Sequence, residues 1–503
     1  FGFAPDGITP LPFRDPLIVR SGDDVFETPD IRILDNRFGR APRVFGGGFG
    51  GVLNFSVSRV MTAPALVHGN VFGLGVDGSR SGVERNHIEV FLGNNTQVPR
   101  LQIGGLLAGQ ANVFAAGMRQ AGNATSGSAL TLPSGAVSTF VEFVGNRMLG
   151  NDGIGLDFPT GTAGGGVSLG RSANDADDAD VGANNQQNFP KITSFGVSGN
   201  QFSISYRVDS TPANSAYPLR VDFYKALGDE GEVLLGSDVY ASASAQQSKS
   251  ATLSIPAGTS LGADDVVVAI ATDAQGRSSE FSFDPLSLSL SDTPDPHPAG
   301  LPFTVSVDAL ALEGPFKPNG VVEVSMNSST PLTCTIAPAP TASANRSNGS
   351  CTLLPTQAGN FTLTASYRTL RGAFGSAGGG DVVATTSHQV SVAGPEQLGF
   401  ARCRQNVLEG ETAQVRVERP SGGVASVSVE FNHSAGTATP GDDYSAPANQ
   451  LLSWAPGDSV AKLFDIAIAA DAQIEPIERF RLTLTNPSGA ALLPFAQLDV
   501  DIL

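Results

Sequence analysis

A chain of 503 residues is too long for one hydrophobic core, and at roughly 100–200 residues per domain it should divide into about three to five. With 59 Gly and 33 Pro but only 16% charged residues, the composition predicts short strands and tight turns, an almost wholly β protein. The formal charge of −18 argues against nucleic acid or an anionic membrane as partner, because a phosphate binder needs clustered Lys and Arg; cations are the natural guests. No apolar run approaches the roughly 18–20 residues that span a bilayer, so no membrane span is expected. The start at Phe1, with neither Met nor a signal segment, and the stop at Leu503 directly after "LDVDIL" suggest a piece of a longer secreted protein.

Residues 1–189 hold no Lys, Tyr, Trp or Cys. They do hold a recurrence around Asn36, Asn70, Asn112 and Asn146, in "LDNRFG", "HGNVFG", "QANVFA" and "VGNRMLG". The local pattern is steady while the interval varies, which is how a solenoid with loop insertions reads. Stacked coils would form ladders of Asn and aliphatic side chains that satisfy the turn amides internally. "LQIGGLLAGQANVFAAG" (101–117), "FVGNRMLGNDGIGLDF" (143–158) and "NDADDADVGANNQQNFP" (174–190) resemble the last coils of right-handed parallel β-helices in bacterial secreted and surface proteins. That resemblance implies that the Asp-rich segment closes the solenoid and leads into a sandwich.

Residues 190–286 alternate apolar and polar positions in "FSISYRVD", "LRVDFYKAL", "GEVLLGSDVY" and "VVVAIATD", the pattern of half-buried antiparallel strands. The ending "ATDAQGRSSEFS" resembles the last hairpin of an immunoglobulin-like module. Residues 287–300, rich in Pro, Ser and Asp, read as a linker. Residues 301–393 alternate again, and "CTLLPTQAGNFTLTASYR" resembles bacterial immunoglobulin-like repeats, although a Gly-rich loop replaces the usual acidic turn after the Tyr. Cys334 and Cys351, 17 apart, suit a hairpin-scale disulfide and hence an oxidising compartment; two buried thiols are the alternative. Cys403 stands alone.

Residues 397–503 resemble a Calx-beta domain over their whole length, through "NVLEGE", "GTATPGDDYS", "WAPGD" and "DAQIEPIERFRLTL". The predicted fold class is therefore all-β: a right-handed parallel β-helix (1–189) followed by three tandem antiparallel β-sandwiches, at 190–286, 301–393 and 397–503.

Calcium takes six to eight oxygen ligands, chiefly carboxylates gathered from loops. The Calx-beta resemblance implies ligands at Glu409, Asp443, Asp471, Glu475 and Glu478. The family's first paired acid is Ala470 here, and the sequence given stops where a run of aspartates would normally follow the last strand. The second candidate is Asp175, Asp177, Asp178 and Asp180, where D-x-D-D-x-D can turn several carboxylates inward around a cation. Its alternative is a solvated seam whose aspartates accept backbone N–H groups.

Parallel β-helices also host polysaccharide lyases and hydrolases. Residues 1–189 offer His68 and His87 for such work but no Tyr, Trp or Lys, and lone histidines are more often core or surface groups. The sequence therefore predicts a non-catalytic bacterial secreted or cell-surface protein for display, adhesion or assembly, calcium-stiffened at its joints, with a protein or glycan partner or self-assembly. A carbohydrate-active enzyme and an extracellular filament subunit are the alternatives.

Overall fold

The structure, a computed structural model, describes residues 17–20, 31–39, 52–57, 63–81, 86–92, 100–118, 127–132, 139–158, 171–228, 230–293, 296–343, 345–370, 382–394, 396–420, 425–447, 449–470 and 476–503. Among these, every element longer than four residues is a strand, and no helix is long and apolar enough to cross a membrane. The all-β expectation holds.

The N-terminal part is three parallel sheets that the chain visits in turn. One holds Leu17–Arg20, Leu53–Val57, Ile88–Leu92, Leu130–Thr131 and Leu156–Asp157. The second holds Arg32–Leu34, Ala65–His68, Arg100–Gly104 and Phe140–Val144, and the third Arg37–Phe38, Val71–Phe72, Val113–Ala115 and Arg147–Leu149. This winding is consistent with a parallel β-helix. Identical residues stack from coil to coil at the inter-strand spacing of about 4.8 Å: the rings of Phe38, Phe72 and Phe114 lie 4.6 and 4.8 Å apart and nearly parallel.

At one corner the recurring asparagines form a polar ladder. Asn70 Oδ1 accepts the backbone N–H of Asn36 at 2.9 Å, Asn112 Oδ1 that of Asn70 at 2.9 Å, and Asn146 Oδ1 that of Asn112 at 3.1 Å. The side-chain amides add a second donor at each step, 2.8 to 3.2 Å long. The residue before the ladder position adopts a left-handed backbone at Asp35, Gly69 and Gly145 (φ 55, 69 and 67), which turns the chain into the next sheet. At Asn112 the longer loop 105–111 makes that turn instead, and it accounts for most of the one irregular interval.

Residues 191–272 form two three-stranded antiparallel sheets, Lys191–Ser198, Gln201–Arg207 and Lys249–Ser254 facing Leu219–Leu227, Glu230–Tyr240 and Val266–Thr272. This sandwich does more than follow the solenoid. Tyr224, Ala226, Val268, Ile270 and Phe281 belong to the same buried cluster as the solenoid interior. The last coil's backbone is sealed by side chains: Val141 N–H donates to Asn184 Oδ1 (3.0 Å), Phe143 N–H to Ser278 Oγ (2.9 Å) and Gly145 N–H to the Tyr224 hydroxyl (2.9 Å). Further round the coil, Asn151 N–H donates to Glu230 (3.1 Å) and Phe158 N–H to Glu280 (2.7 Å). An open sheet end is thereby closed.

The stretch read as a linker is not one. Leu286–Thr293 is a strand paired with Phe303–Ala311, and His297–Pro298 pairs with Val382–Ala393. The alternating "LSLSLS" carries the strand signal, and the Pro and Asp that follow mark only its end. The next sandwich sets a four-stranded against a five-stranded sheet around Val305, Val307, Val324 and Leu363. A disulfide joins Cys334 to Cys351 across the two sheets, and Cys403 is free and exposed. In the last unit two five-stranded sheets enclose Val415, Phe431, Leu482 and Trp454. Trp454 is buried, and its Nε1–H donates to Val460 O at 2.7 Å.

Candidate metal centres

The first acidic cluster lies in the loop that joins the solenoid to its sandwich. The loop is closed at its base by reciprocal bonds between Asn174 and Phe189, 2.8 and 3.0 Å. Asp177 and Asp178 both take left-handed backbone angles (φ 66 and 60), so successive carboxylates diverge. Asp177 turns outward, where its side chain meets Gln246 and its carbonyl accepts Asn214 Nδ2 at 3.0 Å. Asp175, Asp178 and Asp180 turn inward, with one ligand oxygen of each within 4.8 Å of the others.

The three are not equivalent. Asp178 is 3% exposed, and its oxygens already accept Asn188 N–H (2.7 Å), Gln187 Nε2 (2.7 Å) and the Ser215 hydroxyl. Asp175 Oδ2 accepts the N–H groups of Ala179 (3.0 Å) and Asp180 (3.1 Å). Asp180 Oδ1 is buried with no partner. Burial pushes the Asp178 carboxyl up to about 6, against the pull of its donors. Burial, then repulsion from Asp175 and Asp178, pushes Asp180 up to about 7. The loop therefore concentrates negative charge that its own donors do not fully satisfy, a deficit that a proton or a cation can fill. Both seam and cluster are present: Asn188 and Asn184 stitch the junction while Asp180 faces the inward acids.

The second set lies at one end of the last sandwich. Asp443 Oδ2 accepts Thr439 N–H at 2.6 Å, its carbonyl accepts Ala469 N–H at 2.8 Å, and Ala469 O accepts Gly410 N–H at 3.2 Å. These bonds bring the Glu409 turn and the Asp443 turn to one strand end. Glu478 begins the Glu478–Ser488 strand and pairs with Ile502, while Glu409 N–H donates to Leu503 O at 3.4 Å. Asp471 and Glu475 lie outside the described residues. Among the described residues Glu409, Asp443 and Glu478 form no compact ligand set.

Of the two solenoid histidines, His87 is fully buried between Phe72 and Phe114, with Nε2 on Asn151 Oδ1 at 3.0 Å and burial lowering it to about 4. It is a core residue. His68 is half-buried and lowered by partial burial. Two further buried acids carry no motif in the sequence. Glu280 accepts Phe158 N–H and Ser172 N–H, at 2.7 and 2.8 Å, and burial pushes it up to about 8. Asp292 is contacted by His297 Nε2 at 2.6 Å and His388 Nε2 at 2.5 Å. Asp292 and His297 sit in the stretch with linker composition, which hides the two strands that carry them.

Residues 395–501 match the family model for the Calx-beta domain. The last unit is a Calx-beta domain. Its region is 31% identical to the apo-form Calx CBD1 domain, covering 22% of this chain and 96% of that one, with a TM-score of 0.21. It is 33% identical to the calcium binding domain CBD12 of CALX1.1, covering 21% of this chain and 44% of that one, with a TM-score of 0.20. A broader match, to Salmonella alpha-2-macroglobulin reacted with methylamine, covers 63% of this chain and 23% of that one at 12% identity and a TM-score of 0.18. No curated protein matches the chain. Within the Calx-beta domain, the turns carrying Glu409 and Asp443 meet at one end, and the buried Arg419–Glu396 pair (2.9 Å) fastens loops through Ala425, Ala455 and Asp458.

Proposed function

We propose that this chain is part of a non-catalytic, modular extracellular protein of a bacterial surface. It serves display, adhesion or assembly, and calcium stiffens its junctions. The carrying observation is the inward cluster Asp175, Asp178 and Asp180 with the buried, unpartnered Asp180 Oδ1, in the loop between solenoid and sandwich. A cation there removes hinge freedom by fixing three carboxylates on one centre. The Calx-beta domain supports the reading, because one of its structural relatives is described as a calcium binding domain. The Cys334–Cys351 disulfide supports an oxidising, extracellular setting. The partner expected is a protein or glycan at the surface, or further copies of the chain.

The test is a pair of calorimetric melts of the whole chain, in millimolar calcium and in chelator, for wild type and Asp180→Asn. A calcium-dependent rise of several degrees in the transition containing the solenoid, lost in Asp180→Asn, is the expected result. Superimposed wild-type traces would sink the seam site, and a rise confined to the Calx-beta transition would move calcium to Glu409, Asp443 and their neighbours.

A further inference from the structure

The joint between the 190–286 and 301–393 sandwiches encloses a cavity of about 100 Å³, partly open to solvent. Its apolar wall is shared. Ile192, Val268 and Phe283 come from the first sandwich, Phe316 and Val383 from the second. Phe316 also packs on Phe195, with ring centroids 5.4 Å apart, so the loop carrying it is the plug of the joint.

We infer that this cavity is a binding site for a neutral, ring-sized apolar molecule. Size is the first argument. The enclosed space is about two-thirds of the roughly 150 Å³ apolar cavity that holds benzene, so one ring enters only with part of it left in the open mouth, and nothing larger is enclosed. Charge is the second, because each charged side chain around the cavity already has a partner. Lys191 pairs with Glu313 at 2.8 Å and Lys317 with Asp264 at 3.1 Å. Asp284 accepts the N–H groups of Glu313 and Gly314, at 2.8 and 2.6 Å. The Arg171 guanidinium lies 4.8 Å over the Phe283 ring and donates to Phe281 O at 3.2 Å. A charged ligand would have to break one of these pairs and lose its own hydration, whereas a neutral ring loses only its contact with water. Position is the third: small-molecule sites favour apolar clefts between units. A ring held by both walls couples the two sandwiches, and this holds whether or not calcium binds at the seam.

The test uses the whole chain with labelled Ile, Leu and Val methyl groups, titrated with toluene and separately with benzoate, and followed by NMR. Toluene should give saturable shifts at Ile192, Val268 and Val383, with a midpoint on the order of 1 mM, and benzoate none at the same concentration. Val383→Trp, which fills the cavity from a half-buried wall position, should raise the toluene midpoint at least tenfold while keeping its melting transition. Val383→Phe replaces it if the larger ring prevents folding. Absence of saturation at the three methyls, or toluene shifts spread evenly over all four units, overturns the site. Equal shifts with benzoate overturn the neutral class.

Discussion

Glu280 shows what burial does to a single carboxyl at this junction. It has no cationic partner in bonding distance among its described contacts, and two backbone N–H groups hold it against a desolvation that pushes it up to about 8. Asp178 and Asp180 are raised to about 6 and 7 at the same junction. All three lie above the roughly 4 of an unfolded carboxyl, so the folded state binds these protons more tightly. Stability from these groups is fully present below about pH 4 and is lost as pH rises towards 8. In chelator the solenoid transition should therefore melt lower at pH 8 than at pH 5. Calcium should remove the part that belongs to Asp178 and Asp180 and leave the part due to Glu280, as scanning calorimetry at the two pH values would show. A chelator melt that is highest at pH 8 contradicts the geometry. Arg419 gives the opposite case. Its side chain is fully buried, bonded to Glu396 and three carbonyls, so Arg419→Met should cost about 3–5 kcal/mol, the range for orphaning a buried charge. Denaturant melts should show that loss in the Calx-beta transition alone.

The asparagine ladder is the element where sequence and structure agree most closely. Asn112 accepts two donors from Asn70 and gives its own amide to Asn146 and to Val67 O, so every hydrogen-bonding position of the side chain is used. Asn112→Ala orphans groups on both neighbouring coils, each costing about 1–3 kcal/mol when buried. Asn36→Ala, at the ladder's end, breaks the bond of one coil only and should cost less than half as much in the same calorimetric transition. Equal losses would mean the bonds are incidental to coil stacking. The ladder was legible because one residue type recurs in one local context. The sealing of the last coil was not, because Tyr224, Glu280 and Ser278 lie 79, 122 and 135 residues from the N–H groups they receive, and no period links them. The acidic cluster was half legible. Spacing drew attention to four aspartates, but the left-handed turn at Asp177 and Asp178 decides that Asp177 faces Gln246 instead of the cluster.

At the scale of the molecule, the solenoid and the first sandwich share a core, whereas the Calx-beta domain keeps its own. Phe114 of a middle coil and Phe281 beyond the sandwich's last strand belong to one buried cluster. Arg220 of the sandwich reaches Glu142 of the last coil at 2.7 Å and Asp222 at 3.0 Å, which ties the polar rim of that shared core. Cooperative units follow shared burial and not sequence boundaries. Phe114→Ala and Phe281→Ala should therefore lower the same calorimetric transition, each by the roughly 3–5 kcal/mol of a buried Phe truncation. Val415→Ala, inside the Calx-beta core, should lower a different one. Two separately shifted transitions for the two phenylalanines would mean that the sandwich only touches the solenoid. A single one means that the sandwich is the solenoid's closing cap. In that case a cation in the Asp175 loop stabilises the coils and the cap together, because it sits where the two become one folding unit.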